Sequence, residues 1–209
     1  MPVTPAGWNI LIIGAWNTAI LTPDGIRKRL FQLPEGTPVD IDVAIDRPAP
    51  HRVRHDGLFV VPSSGALEIS ADEPNIASLK RASEIACRAL DSLPETPLSA
   101  AGVNLRYQLS EIPDSLLTLT ELDLDDVLSD EKYQILERSI KRTLSLQPGV
   151  LNVEISMKQD TAKVLFNFHM DSKDPKVLSD WVHDIEKFSG NANKLLKALS
   201  IEVTEGENT

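Results

Sequence analysis

The chain is short of the residue types from which reactive sites are usually built. One cysteine, Cys87, stands among 209 residues. No intramolecular disulfide can form, and the expected compartment is a reducing one. The histidines are four, His51, His55, His169 and His183, and no metal-site motif is present at any spacing. Aromatic residues make up 5% of the chain, little for a single-strand nucleic-acid platform built from stacked rings. Positive charge is also scarce, with 21 Lys and Arg against 31 Asp and Glu and a net charge of −10. Such a surface repels phosphate backbones and anionic membranes, so neither nucleic acid nor a membrane is an expected partner. The longest apolar run, Ile10-Leu11-Ile12-Ile13 with Gly14-Ala15-Trp16 behind it, is far short of the roughly 20 residues of a membrane span. Met1-Pro2-Val3-Thr4-Pro5 lacks the positive segment of a signal peptide. The expectation is a cytoplasmic protein without a cofactor.

What is present reads as an ordinary globular chain, 42% hydrophobic and 25% charged. Its length suffices to bury a sizeable core, in one domain or two small ones. Trp8 to Trp16 is nearly continuously apolar, which suits a strand buried on both faces. Thr22-Pro23-Asp24 opens a short helix that stops at Leu33-Pro34-Glu35-Gly36. Val39, Ile41, Val43 and Ile45 alternate with Asp40, Asp42 and Asp46, predicting a strand with the apolar set facing inward. After Arg47-Pro48-Ala49-Pro50, three short strands are expected over 51–70, with Asp56-Gly57 as a hairpin turn. Asn75 to Leu93 carries an apolar stripe at helical spacing, through Ile76, Leu79, Ala82, Ala86 and Leu90.

The second half opens on a strand from Ala101 to Leu109. An acidic stretch from Glu111 to Glu131 follows, partly helical, and then a helix over roughly 131–146. Alternation predicts a strand pair over 151–157 and 163–170. Asp174-Pro175 caps and starts the last helix, with Ser189-Gly190-Asn191 as its expected interruption. Each half reads strand, helix, antiparallel strands, helix. The predicted fold is therefore α+β: two related β-α-β-β-α units, residues 1–97 and 98–201, sharing one mainly antiparallel sheet with helices packed on one face. Residues 202–209 read as a frayed tail.

His51, Arg52, Arg54 and His55 form the densest basic and imidazole cluster, next to Asp56. They are the candidate binding residues, for an anion or an acidic partner; His55-Asp56 also matches the His-Asp pair of a metal phosphohydrolase, which would need further His and Asp ligands on helices. An exposed hairpin explains the same cluster without a ligand. Asp40, Asp42 and Asp46 suit a hard cation, or simply the wet side of a strand that blunts a sheet edge. Cys87 has no histidine near it in sequence and so lacks an activating base. His169 and His183 are isolated. Leu165, and Leu105 if it points outward, are candidates for a contact surface.

Ala101-Gly102-Val103-Asn104-Leu105-Arg106-Tyr107 resembles the Ile-Gly-Leu-Arg-Tyr type strand that follows the first long helix in a family of sporadically distributed, uncharacterised bacterial proteins. The order of elements is similar over most of the chain, as is a hairpin ending in Leu165-Phe166-Asn167-Phe168-His169 ahead of the Asp174-Pro175 helix start. The chain departs at Val103 and Asn104, where the family has Leu directly before Arg. The resemblance implies a shared fold and no catalytic residues. The expected function is a non-enzymatic protein-interaction module, an adaptor, inhibitor or chaperone-like protein with a protein partner, forming a homodimer through a sheet edge or the last helix. The alternative is an enzyme with a dispersed site around residues 51–56.

Overall fold

The computed structural model describes residues 2–46, 49–158 and 160–203. The chain folds around one large sheet. In chain order the elements are β1 (Pro2–Gly14), α1 (Pro23–Arg29), β2 (Asp40–Asp42), β3 (Arg52–His55), β4 (Leu58–Pro62), β5 (Ala66–Ala71) and α2 (Ile76–Ser92). They continue as β6 (Leu98–Leu109), α3 (Asp114–Thr120), α4 (Asp123–Asp130), β7 (Glu137–Ser145), β8 (Val150–Lys158), β9 (Thr161–Asp171), α5 (Pro175–Val182), α6 (Ile185–Ala198) and β10 (Glu202–Val203). The strands are ordered β2-β3-β4-β5-β1-β6-β9-β8-β7, every neighbour antiparallel, with β10 pairing parallel to the start of β1. The α+β class is as expected. Each half sends its last meander strand back beside its first strand, and β1 and β6 join the halves at the centre.

Along the central strands one side chain in two enters the core. Trp8, Ile10 and Ile12 on β1, Val103, Leu105 and Tyr107 on β6, and Val164, Phe166 and Phe168 on β9 are buried together, across both halves. They lie on one face by register, for Ile10 opposes Val103 and Val103 opposes Phe168. The helices cover this face. Asn75 caps α2, its side chain accepting from the Ser78 N–H, and Leu79, Ala82, Ala86 and Leu90 turn inward. Asp174 caps α5, accepting from the Lys176 and Val177 N–H groups at 2.8 and 3.4 Å. The opposite face of the sheet is left without a helix layer among the described residues.

Several expectations are corrected. The strand predicted over 39–46 shrinks to Asp40–Asp42, and Ile41, Val43 and Ile45 are exposed rather than inward. It lies beyond a four-residue strand at the sheet's end, where no helix packs on it among the described residues; residues 47 and 48 lie outside the described residues. β1 is buried on one face and half-buried on the other, because Asn9, Leu11 and Ile13 point to the uncovered side. Residues 137–145 are strand, not helix, since β8 offers pairing partners for all nine. The last helix breaks at His183-Asp184 and runs unbroken through Ser189-Gly190-Asn191. A mid-helix glycine costs about 1 kcal/mol. Burial of Phe188 against Phe168 and Trp181, at centroid distances of 4.9 and 4.8 Å, outweighs it. Leu105 is fully buried between Trp8 and Phe166 rather than outward. Glu202 and Val203 are paired strand; residues 204–209 lie outside the described residues.

Candidate interaction surface

β3 alternates, and this alternation divides the candidate cluster. Arg52 and Arg54 project to the uncovered face, where both guanidinium groups sit over the Phe59 ring, at 4.8 and 5.3 Å from its centroid. Arg54 also pairs with Asp72. Val53 and His55 point the other way: Val53 is buried, and the His55 ring meets Phe31 edge-on at 5.6 Å. His51 Nε2 lies 3.2 Å from the Leu21 carbonyl. The fold thus brings the two arginines together with Phe59 and keeps both imidazoles apart from them. Asp40 and Asp42 stand opposite Arg54 and Arg52 across the β2–β3 pair. Among the described residues, no three of His, Cys, Asp and Glu converge where a metal ion would sit.

Cys87 lines a cleft of about 820 Å3 between α2 and the α5–α6 break, together with Lys80, Ser83, Ser179, His183 and Glu186. Sequence spacing gives no hint that His183 shares this cleft. The thiol is nonetheless unactivated. Burial pushes its pKa up, more than hydrogen bonding to Ser179 and Ser83 draws it down, and the Asp91 and Asp180 charges add to the rise; Sγ donates to the Ser179 carbonyl at 3.5 Å. Lys80 pairs with Glu186 across the cleft at 2.5 Å and draws that carboxyl below its ordinary range. His169 faces away from Phe168 and lies 3.0 Å from Asp171. The Cys87 cleft is a polar seam between helices.

The uncovered face carries a feature that sequence reasoning missed. Asn9, Asn104, Asn167 and Asn152 stand directly opposite one another on β1, β6, β9 and β8, with Thr143 next on β7. Thr143 Oγ1 donates to Asn152 Oδ1 (2.7 Å), and Asn152 Nδ2 to Asn167 Oδ1 (2.9 Å). Asn167 Nδ2 donates to Asn104 Oδ1 (2.7 Å), and Asn104 Nδ2 to Asn9 Oδ1 (2.8 Å). Asn9 Nδ2 closes the row on the Glu68 carboxylate at 2.6 Å. These bonds satisfy a buried amide at Asn104 and half-buried ones at Asn9, Asn152 and Asn167, and they support the strand register.

The two ends of the sheet differ. β2, at one end, has three residues. β7, at the other, has nine, and most of its side chains are exposed. An edge strand shows a row of backbone donors and acceptors that natural proteins usually cover or blunt. Beside β7 the chain exposes Leu119, Leu122, Leu124, Val127, Tyr133, Leu136 and Leu144, seven of the twelve exposed large hydrophobics among the described residues. Exposure runs from 40% at Leu144 to 70% at Leu136. Arg138 ties β7 to α4 through Asp125 at 2.8 Å, so helix and strand edge form one surface. The concentration of leucines in the acidic stretch is the sequence signal for it; it is legible only once α3 and α4 are known to leave those leucines outside.

No protein-family model matches the chain, and no curated protein matches its sequence.

Proposed function

We propose that the protein is a non-enzymatic interaction module, an adaptor, inhibitor or chaperone-like protein, that binds a protein strand at the β7 end of its sheet. The observation that carries this reading is the coincidence of a nine-residue uncovered edge with the apolar set of α3, α4 and the 133–136 loop. Strand addition supplies main-chain hydrogen bonds, and adjacent apolar side chains supply the burial that makes such docking stable. The partner is a protein, a second copy of the chain included; the net charge of −10 disfavours nucleic acid and anionic membranes. A reducing, cytoplasmic setting suits the free Cys87 thiol. The same reading treats the two halves as related units that merged their sheets.

Site-specific photo-crosslinking in the native cell tests it. A crosslinker at Leu136 is expected to give discrete protein adducts that vanish when Ser139→Pro removes a backbone donor from the edge. A crosslinker at Thr161, on the opposite side of β8, is expected to give none. Equal adducts at both positions, or adducts at Leu136 indifferent to Ser139→Pro, overturn the reading.

A further inference from the structure

We infer that the strand docking on β7 is β7 of a second copy, paired antiparallel about a two-fold axis at Ser139. This rests on the reading of the β7 end as an interaction surface and names its occupant.

The argument is one of charge and register. Two copies of one strand related by a two-fold axis normal to the sheet are antiparallel, as every neighbour along the main sheet already is. Residues directly opposite share a face, so the possible registers are set by which residue meets its own copy. With Arg138, Lys141 or Arg142 at the centre, two like charges meet. With Ile140 at the centre, Arg138 meets the partner's Arg142. With Ser139 at the centre, serine meets serine, Glu137 meets the partner's Lys141, and Lys141 meets the partner's Glu137. Of these five registers, this alone places opposite charges face to face and no like charges.

The neighbouring strand agrees. Within one copy Glu137 stands opposite Lys158 of β8, and Lys141 stands opposite Glu154. Neither Glu137 nor Lys141 holds a salt bridge among the described residues. Across the proposed joint the row therefore reads Lys158, Glu137, the partner's Lys141, the partner's Glu154, alternating in sign through the seam. The two-fold keeps both helix layers on one face. On that face Ile140 and Leu136 of each copy lie beside the edge of the other, which gives the exposed apolar side chains a covering.

Sedimentation velocity on the full chain, from about 1 to about 100 µM, tests this. Wild-type protein is expected to dimerise. Glu137→Lys and Lys141→Glu each replace two attractive pairs by two repulsive ones and are expected to weaken the dimer roughly tenfold or more. An equimolar mixture of these two variants pairs Lys with Glu at both positions, and is expected to recover a heterodimer. The double variant E137K/K141E is expected to recover the homodimer. Circular dichroism confirms that each variant is folded. A wild-type monomer throughout the range, or a dimer indifferent to the reversals and to mixing, overturns the inference. The Leu136 crosslinks would still be expected in that event, with a different protein, so failure here is distinguishable from failure of the docking reading.

Discussion

Thr143 on β7 and Glu68 on β5 are the two ends of one directed chain of five hydrogen bonds across six strands. The direction has a cause. An ionised carboxylate only accepts, so Glu68 turns the Asn9 amide to present its N–H. Asn9 Oδ1 then faces Asn104, and the choice passes from amide to amide until the Thr143 hydroxyl donates at the far end. Arg106 Nη1, 3.5 Å from Asn9 Oδ1, supports the same orientation.

Asn104, the most buried member of the row at 8% exposure, has an amide neighbour on each side. Asn104→Ala leaves Asn167 without its acceptor and Asn9 Oδ1 with only the longer bond from Arg106. The expected loss of stability is about 1–3 kcal/mol. Asn152→Ala, nearer the edge where water replaces the lost partner, is expected to cost less. Urea unfolding of the two variants compares them; equal losses would show that the row does not act through burial.

Tyr107 is buried to 1% exposure and its hydroxyl has no hydrogen-bond partner among the described residues. Trp8 and Phe166 flank its ring edge-on, at 5.6 and 5.9 Å. Desolvation holds the phenol far above its ordinary pKa, in the neutral form. Removing an unsatisfied hydroxyl removes its desolvation cost. Tyr107→Phe is therefore expected to be neutral or to stabilise the fold by about 1 kcal/mol. A clear destabilisation in thermal melts would reveal a bond for this hydroxyl.

Cys87 is expected to react slowly with thiol reagents. Its raised pKa leaves less thiolate at neutral pH than a free cysteine has. The sign for stability follows: the folded state favours the neutral thiol, so its contribution is complete below the ordinary thiol pKa and declines as pH rises through the elevated one. A labelling rate measured from pH 7 to pH 10 is expected to climb throughout; a plateau near neutrality would mean a thiolate stabilised in the α2–α5 cleft.

What was legible in the sequence was local. The Asp56-Gly57 turn, with φ of +48° and +72°, suits the left-handed conformation that a two-residue hairpin requires. Asp174 fills the cap expected of it, and the 151–157 and 163–170 alternation is the β8–β9 hairpin. β7 was illegible because Arg138 and Arg142 interrupt its inward-facing set, so the period of two is masked and only pairing with β8 decides. The asparagine row was illegible for a related reason. Each asparagine is an unremarkable polar residue on its own strand, and register alone assembles them. Of the residues singled out beforehand, Arg52 and Arg54 do share a face, while the alternation of β3 sends His55 to the other.

β2 and β7 make the sheet unequal at its two ends. A strand that pairs with itself consumes the long end and leaves only the three-residue end, where Asp40 and Asp42 stand, facing outward from both copies. The joint we infer at β7 would be closed on itself: one pairing uses up the long edge of both copies, so that this contact doubles the assembly and cannot repeat.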